Sequence, residues 1–423
     1  MGIPKDAIGQ MSRSITVDRP LRIAQVAPPL ERVPPRAYGG TERIVHELVV
    51  ELVRRGHDVT TFASGDSEVP GRHVATVPEA LRPAGYGGDP GLWFVSTIVS
   101  VLDRAAEFDI IHSHLEWTSL LLARTSSIPV VSTFHGRIDQ PAAEGALANP
   151  PPGLVAISAS QAATHPAVPW TVIHNGLSLR NAPFDRRRED SLCFVGRIAP
   201  EKGVIDAIEI ARIAGRKLRI AAKVGTVPEE RAYYEDVFLP ALRQSDAEFL
   251  GEITGAERDV LLAESYAALA PAAWPEPFGL AIIEALACGT PVIARRVGAL
   301  PEIVRDGVDG FFGDDVAHLA FLVSRVGELD RLAIRRSVLE RFSAERMVDR
   351  YEELYRVLLG RIARPSATVA NDPNPVRVTT ERGPLVSRTP MTRVAPAGAP
   401  VSRPARTEEP APEPEPATGR PQD

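Results

Sequence analysis

Residues 191–225 read "SLCFVGRIAPEKGVIDAIEIARIAGRKLRIAAKVG", and this stretch contains one complete copy of the unit that recurs along the chain. An apolar, β-branched run at 191–197 is followed by helical periodicity over 203–214 and by a second apolar run at 217–225. Strands that are apolar on both faces and joined by a helix are typical of parallel sheets covered by helices. The stretch therefore predicts a β–α–β unit.

The same alternation appears on both sides of this stretch. Strands are predicted at 21–29, 59–64, 108–114, 128–136 and 152–160 in the first half, and at 191–197, 217–225, 247–253, 267–272 and 291–297 in the second. Helices are predicted at 41–58, at 203–214, within 228–245, at 255–265 and at 279–288. Two such series in tandem predict an α/β protein with two doubly wound, Rossmann-like domains. Ligands of these sheets bind beyond the carboxyl ends of the strands, which places the site in the cleft between the domains.

Composition shifts mark the domain boundaries. The polar, arginine-rich stretch 176–190 is typical of a linker. The last segment contains 13 of the 39 prolines and cannot bury enough apolar area to offset the entropy of ordering it. We predict a disordered arm at 1–19, a first domain at 20–177, a second domain at 178–343, a helix at 344–360 that packs back toward the first domain, and a disordered Pro-rich tail at 361–423.

Charge and cysteine usage exclude several classes of protein. The net charge of −6 argues against a general nucleic-acid binder. The two cysteines, Cys193 and Cys288, lie in apolar segments, which favours reduced thiols in a cytoplasmic protein. No run of about 18 apolar residues occurs, so no spanning helix and no stable membrane insertion are expected.

Cations and glycines at strand-to-helix turns are candidates for binding an anion. Arg197 follows a predicted strand, and Lys202 stands just before the next helix. A guanidinium and an ammonium placed there suit a diphosphate, although a surface turn with two solvated cations fits the spacing equally well. Gly39 and Gly40 separate the first strand from its helix and would let the backbone approach a ligand. A glycine turn is common there in any α/β fold, and no G-x-G-x-x-G indicates a nicotinamide cofactor.

His135 lies at the end of another predicted strand. Its imidazole can donate a hydrogen bond to a sugar hydroxyl or move a proton, although a histidine at a strand end is more often structural. The other strand-end histidines lack metal-ligand spacing with His or Cys partners. A metal site is therefore not predicted.

The stretch 274–294, "WPEPFGLAIIEALACGTPVIA", carries two carboxylates with seven residues between them, Glu276 and Glu284. A helical interval would separate them by about 12 Å along its axis. Glycosidase carboxylates are about 5 Å apart or at most about 9.5 Å, so a hydrolytic pair fits poorly. Glu284 lies among apolar residues and needs a partner there, such as a vicinal diol. The amides of 278–280 begin the helix and form an anion cradle.

Six motifs in one ordered series resemble a known family over roughly residues 20 to 360. They are "GGTER", "TFHG", "FVGRIAPEKG", "FLGEI", "PEPFGLAIIEALACGTPVIARRVGALPEIV" and "DGVDGFF". The series resembles the retaining GT-B glycosyltransferases of family 4, also called glycosyl transferases group 1. The resemblance implies two Rossmann-like domains that face each other across a cleft. It also implies transfer of a hexosyl group from a nucleotide sugar to a hydroxyl acceptor, with neither metal nor cofactor.

The resemblance also implies roles for individual residues. It implies His135 and Glu276 beside the donor sugar as catalytic residues, Arg197, Lys202, Gly39 and Gly40 at the diphosphate, the backbone amides of Phe278, Gly279 and Leu280 at the sugar and phosphate, Glu284 at the ribose, and Glu252 and Ile253 along the base. A UDP-sugar is favoured over a GDP-sugar. The acceptor class stays open among small molecules, saccharides and lipid-linked acceptors.

Two alternatives share this architecture. A nucleotide-sugar epimerase would convert the donor without an acceptor, so incubation with the donor alone would distinguish it. A non-catalytic nucleotide-sugar-binding protein would use the tail as an effector. The presence of His135, Arg197, Lys202, Glu276 and Glu284 argues against loss of activity.

Overall fold

The computed structural model describes residues 19–36, 39–86, 88–184, 190–225 and 227–362. The predictions for the arm at 1–18, for 185–189 of the linker and for the tail at 363–423 lie outside the described residues. Arg19, at the end of the predicted arm, is described, and its guanidinium donates two hydrogen bonds to the Asp109 carboxylate.

The first sheet has seven parallel strands in the order β3-β2-β1-β4-β5-β6-β7. The strands are β1 Arg22–Val26, β2 Asp58–Ser64, β3 Arg72–Val77, β4 Ile110–Ser113, β5 Val130–Phe134, β6 Leu154–Ala156 and β7 Thr171–Val172. The helices of this half are α1 Gly40–Arg54, α2 Gly91–Leu102, α3 Ser119–Thr125, α4 Ala143–Ala146 and α5 Ala159–Ala162. The strand order reverses direction between β1 and β4, which is where such sheets open to a ligand.

The second sheet has six parallel strands in the order β10-β9-β8-β11-β12-β13, and its order reverses between β8 and β11. The strands are β8 Leu192–Ile198, β9 Leu218–Val224, β10 Glu248–Gly251, β11 Ala267–Ala270, β12 Val292–Ala294 and β13 Gly310–Phe312. The helices are α6 Val204–Ala214, α7 Pro228–Tyr233, a π-helical turn Tyr234–Phe238, α8 Leu239–Arg243, α9 Gly255–Glu264, α10 Leu280–Ala287, α11 Leu300–Ile303, α12 Val316–Val323, α13 Arg331–Arg341 and α14 Ala344–Ile362. Short 3₁₀ turns lie at Ala105–Glu107, Glu116–Thr118, Leu179–Asn181, Pro200–Lys202 and Val326–Glu328.

The prediction of two doubly wound parallel sheets is confirmed. Strands β3, β7 and β13 were not predicted. Residues along β3 alternate between exposed and partly buried at the sheet edge, and β7 and β13 are only two and three residues long. Such strands carry too few apolar positions for a periodicity to stand out.

Helix α14 begins in the second half of the chain and packs against α1 of the first half. Its Tyr351 and Tyr355 are fully buried, and its two last residues extend beyond the predicted helix end at 360. The rings of Phe278 and Phe342 contact each other and His174, so apolar packing continues from one sheet to the other. The boundaries at 177/178 and 343/344 stay predictions.

Over the described part of the chain, no helix combines the length and the apolar character needed to cross a bilayer.

Candidate functional site

A cleft of about 510 Å³ opens where the two sheets meet, and residues of both line it. The structure brings every predicted site residue to this cleft. They are Gly39, Gly40, His135, Arg197, Lys202, Glu252, Ile253, Glu276, Phe278, Gly279, Leu280 and Glu284. The cleft lies where the strand order of each sheet reverses, between β1 and β4 and between β8 and β11, as the parallel topology predicts.

Arg197 and Lys202 reach the cleft from the carboxyl end of β8 and the 3₁₀ turn that follows it. The Arg197 guanidinium forms ion pairs with Glu201, at 2.9 Å, and with Glu230. The Lys202 ammonium donates to the Glu276 carboxylate at 2.6 Å, and the Lys202 side chain is only 14% exposed. Both cations are thus held in place by carboxylates at the edge of the cleft, where an anionic group can be bound.

The turn that carries Glu276 is fixed by its contact with the loop after β12. Ala299 donates its N–H to the Glu276 carbonyl at 3.0 Å. Gly298 has a φ of 57°, and a Cβ at this glycine would lie 2.4 Å from the Glu276 nitrogen. Only glycine fits here without moving the turn, so Gly298 sets the position of the Glu276 backbone.

Helix α10 starts at Leu280, which corrects the expectation that Phe278 and Gly279 already belong to it. Gly279 has a φ of 125°, which is not helical, and its carbonyl accepts the Ile282 N–H at 3.0 Å. The Phe278 side chain is 3% exposed and belongs to the core. Of the three predicted residues, only Leu280 contributes its amide to the first turn of α10, where N–H groups have no intrahelical acceptor.

Glu284 lies inside α10 and is 5% exposed. Its carboxylate forms ion pairs with Arg43 of α1 and, at 2.9 Å, with Arg258 of α9. The expectation that a buried glutamate needs a partner is thus met by two arginines, one from each half of the chain. The two carboxylates of the 274–294 stretch contact separate cations.

His135 follows β5, and its Nε2 lies 2.9 Å from Nδ1 of His114. Burial lowers the pKa of His135 to about 3, so the imidazole is neutral at pH 7. The backbone N–H groups of His135 and Gly136 donate to Oε1 of Glu116 at 3.0 and 3.2 Å. Burial raises the pKa of Glu116 to about 7, and these two hydrogen bonds oppose that rise.

Six charged residues that line the cleft were not predicted: Glu42, Arg43, Arg82, Glu116, Lys223 and Arg258. Two of them, Glu42 and Arg43, are the last letters of the "GGTER" motif, where only the glycines received a role. Burial raises the pKa of Glu42 to about 7. Glu116 and Arg258 belong to no motif, because only the tertiary fold brings them to the cleft.

Among the residues that the structure describes, no group of three or more His, Cys, Asp or Glu side chains is arranged to hold a metal ion. Arg43, Arg197, Lys202 and Arg258 of the cleft instead form ion pairs with carboxylates.

Two family models match consecutive parts of the chain. The model Glycosyltransferase Family 4 matches residues 38–181, and the model Glycosyl transferases group 1 matches residues 179–327. The glycogen synthase of Mycobacterium tuberculosis is 30% identical over 365 residues, which cover 72% of this chain and 86% of that protein.

Solved structures share the architecture. The crystal structure of AviGT4, a glycosyltransferase involved in avilamycin A biosynthesis, superposes with a TM-score of 0.62 at 27% identity, covering 80% of this chain and 98% of that one. Anabaena HepE, solved in complex with UDP and glucose, gives a TM-score of 0.61 at 18% identity over 79% of this chain and 98% of its own, which supports the fold alone. The sheets, the cleft, the two matched models and the M. tuberculosis relative lead to one conclusion: this chain belongs to the GT-B glycosyltransferases of family 4.

Proposed function

We propose that the protein is a cytoplasmic, retaining and metal-independent hexosyltransferase. It moves a hexosyl group from a nucleoside-diphosphate sugar, with UDP favoured over GDP, to a hydroxyl group of a small-molecule, saccharide or lipid-linked acceptor. One observation carries the proposal: the Lys202–Glu276 pair and the buried Glu284 line the same cleft. Glu276 lies just before α10, and Glu284 lies inside it.

The diphosphate is the part of the donor that the cations bind. A departing nucleoside diphosphate gains negative charge in the transition state, and preorganised cations and helix amides stabilise such charge. Arg197, Lys202 and the first amides of α10 are the candidates, and the backbone of Gly39 and Gly40 lines the same cleft. Because cationic side chains can supply this stabilisation, the reaction needs no metal ion.

The ribose and the base extend from the diphosphate toward Glu284 and the end of β10. A carboxylate that is almost fully buried can accept hydrogen bonds from both hydroxyls of a ribose. Glu252 and Ile253 follow β10 and line the cleft, which suits contact with the base.

Retention of the anomeric configuration agrees with the state of Glu276 and His135, the two residues proposed to lie beside the donor sugar. Oε1 of Glu276 already receives the Lys202 ammonium at 2.6 Å, which suits a carboxylate that positions the donor rather than one that attacks it. His135 is neutral and can polarise a hydroxyl. In front-face attack the departing phosphate removes the acceptor proton, so no strong enzyme nucleophile is required.

A donor screen tests the proposal. Purified protein is incubated with UDP-, GDP- and ADP-hexoses in EDTA, with and without candidate acceptors, and nucleotide diphosphate release is measured. We expect release from a UDP-hexose that rises when an acceptor is added. Conversion of the donor to its epimer without an acceptor, or no turnover without a divalent cation, would contradict the proposal.

Two variants test the assignment of the diphosphate site in the same assay. Arg197→Ala and Lys202→Ala should lower kcat/KM for the donor by at least about 100-fold, since one preorganised charge-stabilising group typically contributes about 10²–10³-fold. Lys217→Ala, at an exposed lysine that does not line the cleft, is the control. Unchanged kcat/KM in both variants would refute the assignment.

A further inference from the structure

Beneath the cleft, a continuous series of polar side chains connects His135 to α14. Its members come from β1, from β4 and β5 and the residue directly after each of them, and from α14, and every one except His135 is buried. They are His135, His114, Gln25, Tyr355, His112, Thr133 and Tyr351. The proposed function uses only the first of them.

The half of the series nearest the cleft contains three side chains. Nε2 of His135 lies 2.9 Å from Nδ1 of His114. Nε2 of His114 lies 3.0 Å from the amide oxygen Oε1 of Gln25. Nδ1 of His135 has no hydrogen-bond partner among the described residues, and His135 lines the cleft.

The other half leads to the C-terminal helix. Gln25 Nε2 donates to the Tyr355 hydroxyl at 3.3 Å, and that hydroxyl lies 2.7 Å from Nδ1 of His112. Nε2 of His112 lies 2.8 Å from the Thr133 hydroxyl, which lies 3.0 Å from the hydroxyl of Tyr351. Each contact is within ordinary hydrogen-bond distance.

Strand register brings these side chains together. Gln25 and His112 are paired positions on β1 and β4, and His114 directly follows β4, two residues after His112 and on the same face. Tyr351 and Tyr355 are four residues apart and share one face of α14. The helix covers the polar side chains and removes them from water, so each donor must find an acceptor within the series.

The orientation of the Gln25 amide fixes the direction of the hydrogen bonds. Because its oxygen faces His114, Nε2 of His114 must carry a proton and donate it. Burial lowers the pKa of His114 well below its usual value, so this ring is neutral and its Nδ1 is an acceptor. His135 must then donate from Nε2. Beyond Gln25 the same direction continues, since Tyr355 donates to His112 and His112 donates to Thr133.

We propose that Gln25, His114, His112 and Tyr355 are positioning residues that keep the proton of His135 on Nε2 and so present the lone pair of Nδ1 to a sugar hydroxyl in the cleft. The use of that lone pair in transfer rests on the proposed function. The tautomer itself does not, because it follows from the buried contacts alone. Because Tyr355 belongs to α14, the packing of this helix against the first sheet is part of what fixes the His135 tautomer.

The tautomer is measured by ¹⁵N NMR of the full chain labelled at histidine, with the His135 signals assigned from their loss in His135→Asn. We expect a protonated Nε2 and an unprotonated Nδ1 in the wild type. In Gln25→Met, which keeps the volume and removes the amide, and in His114→Phe, which removes the acceptor, we expect a mixture of tautomers. A proton on Nδ1 in the wild type, or an unchanged tautomer in both variants, would overturn the proposal.

Kinetics separate positioning from a merely structural role. At metal sites, groups that orient a histidine contribute about 10–100-fold, and we expect a similar loss of kcat in Gln25→Met with the donor KM within about twofold. Tyr351→Phe is the matched control, because it removes only the hydroxyl at the far end, and it should keep both tautomer and kcat. An unchanged kcat in Gln25→Met would also refute the proposal. If no transfer is detected in the wild type, the proposed function fails while the NMR result still decides the tautomer.

Discussion

The carboxylates of the cleft differ in what surrounds each of them. Glu276 and Glu284 lie against Lys or Arg side chains, whereas Glu116, within the described part of the chain, accepts two backbone N–H groups and forms no ion pair. A carboxylate that is buried in a low-dielectric site without a cation binds a proton more readily. Substitution of Glu116 should therefore have a pH-dependent effect on stability.

At Glu116, we expect replacement by glutamine to stabilise the protein at alkaline pH. Both backbone N–H groups donate to one oxygen, Oε1, and the amide oxygen of glutamine can accept them. The pKa of Glu116 is raised to about 7, so its contribution to stability is complete below about pH 4.5 and is lost as the pH rises through 7.

The Glu116→Gln variant lacks this loss. At pH 8 its free energy of unfolding should exceed that of the wild type by on the order of 1 kcal/mol, since one unit of pKa shift corresponds to about 1.4 kcal/mol and water in the cleft screens part of the effect. Urea unfolding at pH 4.5 and pH 8 measures the difference. Exposed Glu144→Gln is the control and should change little at either pH. A variant less stable than the wild type at pH 8 would contradict this account.

Among the elements of the site, the turn before α10 and the glycine behind it matter most. The sequence predicts the helix, its apolar face and the need of Glu284 for a partner, because all three follow from local periodicity and from the cost of burying a charge. Arg43 and Arg258 could not be identified as that partner, since their meeting with Glu284 depends on how α1 and α9 pack around α10. The role of Gly298 was missed for the same reason, because the turn that it contacts is more than 20 residues away in sequence.

Substitution of Gly298 should displace Glu276, although Gly298 itself is not proposed to contact the donor. Gly298→Ala places a Cβ against the Glu276 backbone, so the turn must move, and a displacement of about 1 Å can cost about 100-fold in rate. The matched control is Gly307→Ala, which has a φ of 71° and open space around the new Cβ.

Both variants share the cost of a left-handed backbone, about 1–2 kcal/mol. Steady-state kinetics with the donor should show a loss of kcat/KM of at least about tenfold in Gly298→Ala alone. Equal kcat/KM values in the two variants would show that Gly298 does not position Glu276.

At the scale of the whole molecule, the two halves of the chain contact each other through Glu302 of α11. Its carboxylate accepts the N–H groups of Ala159 and Ser160 and lies against Nε2 of His174, each at 2.8 Å. Burial alone would raise the pKa of Glu302, but the hydrogen bonds from His174, Ala159 and Ser160 lower it below its ordinary value.

The contact should therefore be pH-dependent. A lowered pKa means that Glu302 contributes stability above its unfolded pKa of about 4.5 and that this contribution is lost as the pH falls through the folded value. Glu302→Gln should lower the free energy of unfolding by about 1.5–3 kcal/mol at pH 7.5, the range for hydrogen bonds to a charged group, and by less below pH 4.

Thermal or urea unfolding at both pH values measures this difference. Glu328→Gln is the control, because Glu328 is 56% exposed and forms an ion pair with Arg325, three residues before it. We expect the control to stay within about 0.5 kcal/mol of the wild type. An equal loss in the Glu302 variant at both pH values would contradict the account.

The central claim is that the cleft holds a nucleoside diphosphate with its ribose at Glu284. The most direct measurement is calorimetric titration of wild type and Glu284→Gln with UDP and with 2′,3′-dideoxy-UDP. The wild type should bind UDP at least about tenfold more tightly than the dideoxy nucleotide, since hydrogen bonds to a charged group contribute about 1.5–3 kcal/mol. Glu284→Gln should lose most of that preference. If the wild type binds both nucleotides equally, or the variant keeps the full preference, the ribose does not lie at Glu284 and the central claim is wrong.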